Sequence, residues 1–262
     1  MANEFCRYLS NGFRIQAVES SLTYKPCCWF KTDVDFKDPN FDRVRNEIHN
    51  ISGWTEWCSQ CQTIEQSGVY GATPPRLRSF VDVPESAPTG APVSLEISID
   101  TTCNAACLIC DPTLSSTWAR QYVKFGIKDA VPSTPTVDHW MEQLAQLGSL
   151  DQVLHVNFLG GEPMKSPVPA KLLRAIARVK SLSTVQVHFS TNGSLQPAPD
   201  LISLLEQCAH THYVISLDGV ERRFEYLRYP LRWAKVVRTL NHVKRLNLPN
   251  ITPSIVCTLT PL

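Results

Sequence analysis

Three thiols at CxxxCxxC spacing, Cys103-Asn-Ala-Ala-Cys107-Leu-Ile-Cys110, directly follow the alternating apolar run Ser94-Leu-Glu-Ile-Ser-Ile-Asp100. Few sequence features constrain a chain as strongly. The run reads as a half-buried strand, so the thiols sit on the loop at its end. A structural zinc site takes four ligands, and no nearby His or Cys supplies the fourth. Three thiolates do suffice for three irons of a [4Fe-4S] cube, which leaves the fourth iron open to a small molecule. The plain alternative is that the cysteines are small buried hydrophobes or part of a zinc knuckle.

The rest of the chain fits a metal-using interpretation. Ten cysteines occur in a sequence whose start, Met1-Ala-Asn-Glu-Phe-Cys6, lacks the basic and apolar regions of a secretory leader. That combination points to a reducing, cytoplasmic setting and to metal ligands rather than disulfides. No stretch reaches the length of a membrane-spanning helix. The 262 residues allow one large or two small domains. A net charge of +1 gives no electrostatic case for nucleic acid or an anionic membrane.

Residues 1–81 read as a small irregular, cysteine-rich domain. Arg14–Val18 and Leu22–Tyr24 suggest a short hairpin, and Phe41–Ile51 a short amphipathic helix with Phe41, Val44 and Ile48 on one side. Residues 82–93 carry three prolines and a glycine and read as a linker. From 94 to 262 short apolar runs at 94–99, 152–159, 184–190, 212–217 and 252–259 alternate with helical patterns near 136–147, 170–180, 200–207 and 230–246. Repeated βα units predict an α/β fold with a parallel sheet and right-handed connections. In such barrels the chemistry sits at the C-terminal ends of the strands.

Three further motifs fall at those ends: Phe158-Leu-Gly-Gly-Glu-Pro163, Ser190-Thr-Asn-Gly193 and Ser216-Leu-Asp-Gly219. Together with the cysteine loop they resemble the radical S-adenosylmethionine (radical SAM) enzymes, in particular the subgroup with a SPASM or twitch auxiliary-cluster domain. The resemblance implies a partial parallel (βα) barrel, with Cys103, Cys107 and Cys110 holding a catalytic [4Fe-4S] cluster and S-adenosylmethionine on its open iron. Reductive cleavage of that cofactor would give a 5′-deoxyadenosyl radical that abstracts hydrogen from a substrate. It further implies cofactor contacts from Gly160, Gly161 and Glu162 to the methionine ammonium, from Asn192, and from Ser216 and Asp218 to the ribose hydroxyls. Arg228 would pair with the methionine carboxylate, and Ile109 stands where the family often has an aromatic near the adenine. Each motif also has a structural interpretation: Gly-Gly and Asn-Gly as turns, Ser216 and Asp218 as helix caps, Arg228 as a surface residue.

A second resemblance covers Cys6, Pro26-Cys27-Cys28 and Cys58-Ser-Gln-Cys61. It resembles a twitch domain and implies a second [4Fe-4S] cluster on Cys6, Cys27, Cys58 and Cys61. Cys28 is the alternative to Cys27, because adjacent side chains point apart on an extended chain. Zinc is the alternative metal, since four thiolates suit either. Cys208 and Cys257 read as buried structural cysteines, and the histidines show no metal spacing. The expected partners are a peptide or small-molecule substrate and an electron donor such as a flavodoxin or ferredoxin. The opposing class is a non-catalytic iron–sulfur or zinc protein that transfers electrons or scaffolds a partner. Only five strands of the family's usual six are visible, so the fifth is expected to leave an open edge, with Ile255 and Cys257 uncovered.

Overall fold

The computed structural model describes residues 6–18, 21–68, 84, 87–99, 101–131 and 133–258. Phe5, much of the linker with Asp82, Val83, Glu85 and Ser86, and Leu259 of the last expected strand lie outside the described residues. The chain begins with a five-residue helix α1 (Arg7–Asn11) and strands β1 (Gly12–Val18), β2 (Ser21–Lys25) and β3 (Val34–Asp35). Helices α2 (Phe41–His49) and α3 (Ser59–Ser67) follow. The βα region then runs β4 (Ser94–Ser98), α4 (Ser116–Lys124), α5 (Val137–Ala145), β5 (His155–Leu159), α6 (Val168–Ala177), β6 (Gln186–Thr191) and α7 (Pro199–Leu205). It closes with β7 (His210–Ser216), α8 (Glu221–Leu227), α9 (Trp233–Leu246) and β8 (Ile251–Val256).

Among the described residues, all eight strands form one sheet in the order β3-β2-β1-β4-β5-β6-β7-β8. The five strands expected from the sequence are present and parallel. A sixth parallel strand exists and comes from the N-terminal segment: β1 pairs with β4, Arg14 opposite Glu96 and Gln16 opposite Ser98. The expectation of a missing sixth strand is therefore corrected. The N-terminal hairpin is not a local feature of a separate irregular unit, because it extends the barrel sheet beyond β4. The stretch at 82–93 separates two runs of sequence but not two sheets.

One face of the sheet is apolar. Leu95, Val156 and Val187 lie side by side, as do Ile97, Phe158, Phe189 and Tyr213, and all are essentially inaccessible. Phe158 and Phe189 stack with centroids 5.0 Å apart. Trp140 and Leu144 of α5, Leu172, Leu173 and Ile176 of α6, and Leu201 and Leu205 of α7 join them in one core. Each such side chain contributes about 2 kcal/mol by leaving water. The helices are fixed at their ends by local chemistry. Thr136 caps α5 by accepting from the His139 amide, and Asn247 closes α9 in the left-handed conformation with Lys244 and Arg245 in its last turn.

The opposite face is polar. Arg14, Glu96, Asn157, His188, His212 and Thr252 form one in-register row across six strands. Two residues further along, Gln16, Ser98, Leu159, Ser190, Val214 and Ser254 follow. The site lies on this face. At the far edge, β8 is exposed, with Ile255 at 62% and Cys257 also open, as the open-edge expectation has both. Cys257 is not the buried structural cysteine expected, because it follows the end of β8 on the uncovered edge. Cys208 is buried. Among the described residues no helix is long and apolar enough to cross a membrane.

Candidate active site

At the C-terminal ends of the strands lies a cavity of about 650 Å³, within the range typical of small-molecule sites. It is lined by Cys103, Cys107, Cys110 and Ile109 from the cysteine loop, Gly160 and Gly161 after β5, Ser190 to Asn192 at the end of β6, Ser216 of β7, and Arg228.

The cysteine loop is held from two sides. The start of α4 grips it: Ser115 Oγ donates to the Ala105 carbonyl at 2.6 Å, and Thr117 Oγ1 donates to that of Cys103 at 2.6 Å. The Trp118 indole N–H donates to the Cys107 carbonyl at 2.7 Å. Ser115 is also the cap of α4, accepting from the Thr117 and Trp118 amides, so one hydroxyl joins the helix start to the loop. From the other side, the Leu108 amide donates to the Leu227 carbonyl at the end of α8, at 2.9 Å, and the Ala106 amide donates to Tyr229. A loop with its backbone groups satisfied in this way keeps its thiols in place without further ordering cost.

The thiols are partly sheltered. Burial pushes Cys107 up to about 11, against the pull of the Arg228 guanidinium, and burial likewise raises Cys103 and Cys110. As free groups they are therefore protonated at neutral pH, and a metal must displace those protons.

Arg228 is buried with its Nη1 3.9 Å from Cys107 Sγ and its Nη2 2.7 Å from Asp218 Oδ2. That contact is an ion pair without an aligned hydrogen bond, and the Arg228 Nε has no partner among the described residues. Asp218 does not line the cavity. It lies behind Arg228, and its Oδ1 accepts from the Thr258 amide at 3.0 Å. Glu162 is also behind the wall, 2% exposed. Its oxygens accept from Thr191 Oγ1 at 2.6 Å, the Asn192 amide at 2.8 Å and the Met164 amide at 3.1 Å. Asn192 reaches the cavity, but its amide group is committed: it donates to Asn104 Oδ1 and accepts from the Ser194 amide. Gly161 is required by packing. A Cβ there would lie 2.5 Å from the Thr102 carbonyl oxygen at the root of the cysteine loop.

Arg14, Gln16 and Lys128 also line the cavity, and sequence reasoning did not find them. No motif marks them, and only the pairing of β1 with β4 brings the first two there.

A second, smaller cavity of about 20 Å³ is lined by Cys6, Cys27, Cys58 and Cys61, with Leu9, Trp29, Phe30 and Trp54. Cys28 is exposed and outside it. Burial pushes Cys27 and Cys61 up to about 12. Among the described residues, no three His, Cys, Asp or Glu side chains converge closely enough to hold a single metal ion. Three soft thiols on one loop are the donor set that an iron–sulfur cluster takes. The partnerless Arg228 Nε at the same wall fits an anionic group in the cavity.

No curated relative matches the chain. Among solved structures, Streptococcus suis SuiB bound to S-adenosylmethionine is similar with a TM-score of 0.46 and 19% identity, over 66% of this chain and 36% of that one. SuiB bound to its precursor peptide SuiA gives a TM-score of 0.45 and 16% identity, over 78% of this chain and 45% of that one. Native anSMEcpe with bound AdoMet gives 0.42 and 19%, over 63% and 43%. The chain thus spans less than half the length of each. The family model described as the radical SAM superfamily matches residues 97–261, well over half of the chain, and takes in Cys103, Cys107, Cys110 and the cavity walls from β5 to Arg228. The chain belongs to the radical SAM superfamily.

Proposed function

We propose that the chain reductively cleaves S-adenosylmethionine at the Cys103, Cys107 and Cys110 loop and uses the resulting radical on a peptide substrate. The observation that carries this is the lining of one cavity by those three thiols and by the ends of β5, β6 and β7. When bound, the three-thiolate [4Fe-4S] cluster and S-adenosylmethionine supply a 5′-deoxyadenosyl radical. The chain's own residues do the rest. The Ser115, Thr117 and Trp118 contacts fix the thiols, and Gly161 lets the β5 loop close against them. Arg228 offers a buried cation to the cofactor's carboxylate, oriented by Asp218 behind it. Ser190 and Ser216 offer hydroxyls, Ile109 an apolar contact and Gly160 close backbone approach. Glu162 acts indirectly, by holding the Thr191–Asn192 corner in place.

Replacing Cys103, Cys107 and Cys110 with Ala should abolish both bound iron at this loop and formation of 5′-deoxyadenosine from S-adenosylmethionine under anaerobic reduction. Cofactor cleavage that persists in the purified triple variant overturns the assignment.

Cys6, Cys27, Cys58 and Cys61 are proposed to bind an auxiliary [4Fe-4S] cluster, supported by four soft thiols around one cavity. The small volume of that cavity favours a second reading, a single zinc ion, after a modest inward turn of the thiols. Metal analysis separates them: two cubes give roughly eight irons per chain, whereas one cube and a zinc give half that iron plus stoichiometric zinc. A peptide substrate and a small electron-transfer protein as reductant complete this reading.

A further inference from the structure

The walls of the main cavity carry charge of one sign. Arg14, Lys128 and Arg228 line it, and no carboxylate does among the described residues. The nearby acids are set behind the wall: Asp218 on Arg228, Glu162 under Thr191 and Asn192, and Glu96 on Arg14. Arg228 faces the thiols, 3.9 Å from Cys107 Sγ. Arg14 enters from β1, a strand outside the segment shared with the family, 97–261.

The Arg14 guanidinium is held in a fixed plane. Its Nη1 donates to Glu96, and its Nε points at Gln16 Oε1 at 3.4 Å. Gln16 is itself anchored, donating to Asp33 Oδ1 at 3.3 Å, and Lys25 Nζ lies 3.2 Å from the same oxygen. This chain of contacts leaves Nη2 without an acceptor among the described residues, and Arg14 lines the cavity together with Ser98. Arginine presents donors along more than one edge, so one guanidinium serves two carboxylates at once. Glu96 thus orients Arg14 without exhausting it.

We propose that Arg14, positioned by Glu96 and Gln16 and assisted by Ser98, is a carboxylate-binding subsite for the substrate. Resting on the peptide-substrate reading above, this makes the substrate one that presents an acidic side chain or a C-terminal carboxylate toward β1. Lys25, Asp33, Arg14 and Glu96 sum to zero charge, so recognition rests on directed N–H donors and the remaining cavity cations. Partial burial shields those contacts from salt.

Binding, not turnover, tests this, so its outcome is independent of whether the chain cleaves S-adenosylmethionine. The probes are N-acetylglutamate methylamide, its isosteric glutamine counterpart and the phosphoserine analogue, titrated into the reconstituted full chain with S-adenosylmethionine and followed by ligand-observed NMR. The acid should bind about tenfold more tightly than the amide, as one charge-assisted contact allows. Arg14→Gln should erase that preference and Arg14→Lys should keep part of it. Glu96→Gln releases Arg14 from its partner and should tighten acid binding several-fold, a gain that misfolding cannot imitate. Equal binding of acid and amide by the unmodified chain overturns the proposal. So does an acid preference that ignores both Arg14→Gln and Glu96→Gln. Tighter binding of the phosphoserine analogue, with the same dependence on Arg14, overturns the carboxylate assignment in favour of a phosphate.

Discussion

At the scale of single residues, two buried imidazoles set the response of this fold to acid. His49 is 1% exposed, with Nδ1 2.6 Å from the Leu9 carbonyl and Nε2 3.0 Å from Tyr24 Oη. The carbonyl only accepts, so Nδ1 carries the proton and the tyrosine hydroxyl donates to Nε2. Burial lowers the pKa of His49 to about 4, and burial lowers that of His155 to about 4 as well. Both folded values lie below the unfolded one, so the unfolded chain binds more protons between them. Stability is fully present above about pH 6.5 and falls as the pH drops toward about 4, by about 3 kcal/mol for each histidine. Denaturant melts at a series of pH values should show this slope, and His49→Gln should flatten it. Loss of stability confined to pH below 4 contradicts the assignment. Glu162 gives a second residue-scale prediction. Glu162→Ala strips acceptors from the Thr191 hydroxyl and from the Asn192 and Met164 amides, and should cost about 3 kcal/mol. At this scale the sequence offered candidates by position, and the structure places Cys103, Cys107 and Cys110 at one cavity and Cys6, Cys27, Cys58 and Cys61 at another. The sequence did not show that Glu162 and Asp218 fall outside the cavity lining and bond to protein groups, because a motif gives a position along the chain and not the direction of a side chain.

The cysteine loop depends on elements that flank it. Helix α4 holds its carbonyls and the end of α8 holds its amides, while Gly161 after β5 packs on the Thr102 backbone. Gly161→Ala sets a methyl group against backbone that cannot rotate away, so the β5 loop and the cysteine loop must part. Such overpacking should cost about 1–3 kcal/mol. It should also reduce iron incorporation, measured on refolded protein, more than Gly53→Ala, where an added Cβ meets nothing. Strand and helix periodicity in the βα region was legible because the apolar face is nearly continuous. Helices α3, α4 and α8 were not, because none combines a long apolar stripe with clear end signals: α3 buries no residue, and α4 and α8 each bury few. The exposed edge of β8 is blunted by its sequence. The Leu217 amide donates to the Val256 carbonyl and the Thr211 amide to that of Asn250, so residues of even number face β7 and Pro253 faces outward. A proline on the open side of an edge strand removes a donor that another chain could use, and the Ile251 amide is already spent on the Leu248 carbonyl. Pro253→Thr should therefore increase concentration-dependent association, read by light scattering.

For the whole molecule, the N-terminal segment and the βα region form one structure through β1. The contact was hidden from the sequence because β1 and β2 look like a self-sufficient hairpin, and a parallel partner some eighty residues away leaves no local signal. Once β1 is in place, four consequences follow together. It covers the β4 edge. It buries Phe13 and Ile15 in the common core. It brings Arg14 and Gln16 into the cavity. It also carries the Cys27 end of β2 and the Cys6 helix toward the second cysteine cavity. A chain beginning at residue 84 keeps the whole family-matched segment yet loses all of this. It exposes β4 as a parallel edge with Leu95 and Ile97 beside vacated core, roughly two large side chains and some 3–6 kcal/mol of burial removed from the strand's neighbours alone. That is comparable to the total stability of many domains. The truncated chain should be recovered unfolded or aggregated, with no cooperative thermal transition by circular dichroism, while the full chain melts cooperatively. Restoring a peptide of residues 6–25 in trans should recover little, since closing that contact within one chain benefits from a local concentration that a free peptide lacks. A soluble, cooperatively melting fragment from residue 84 onward contradicts the assignment of β1 as an integral barrel strand.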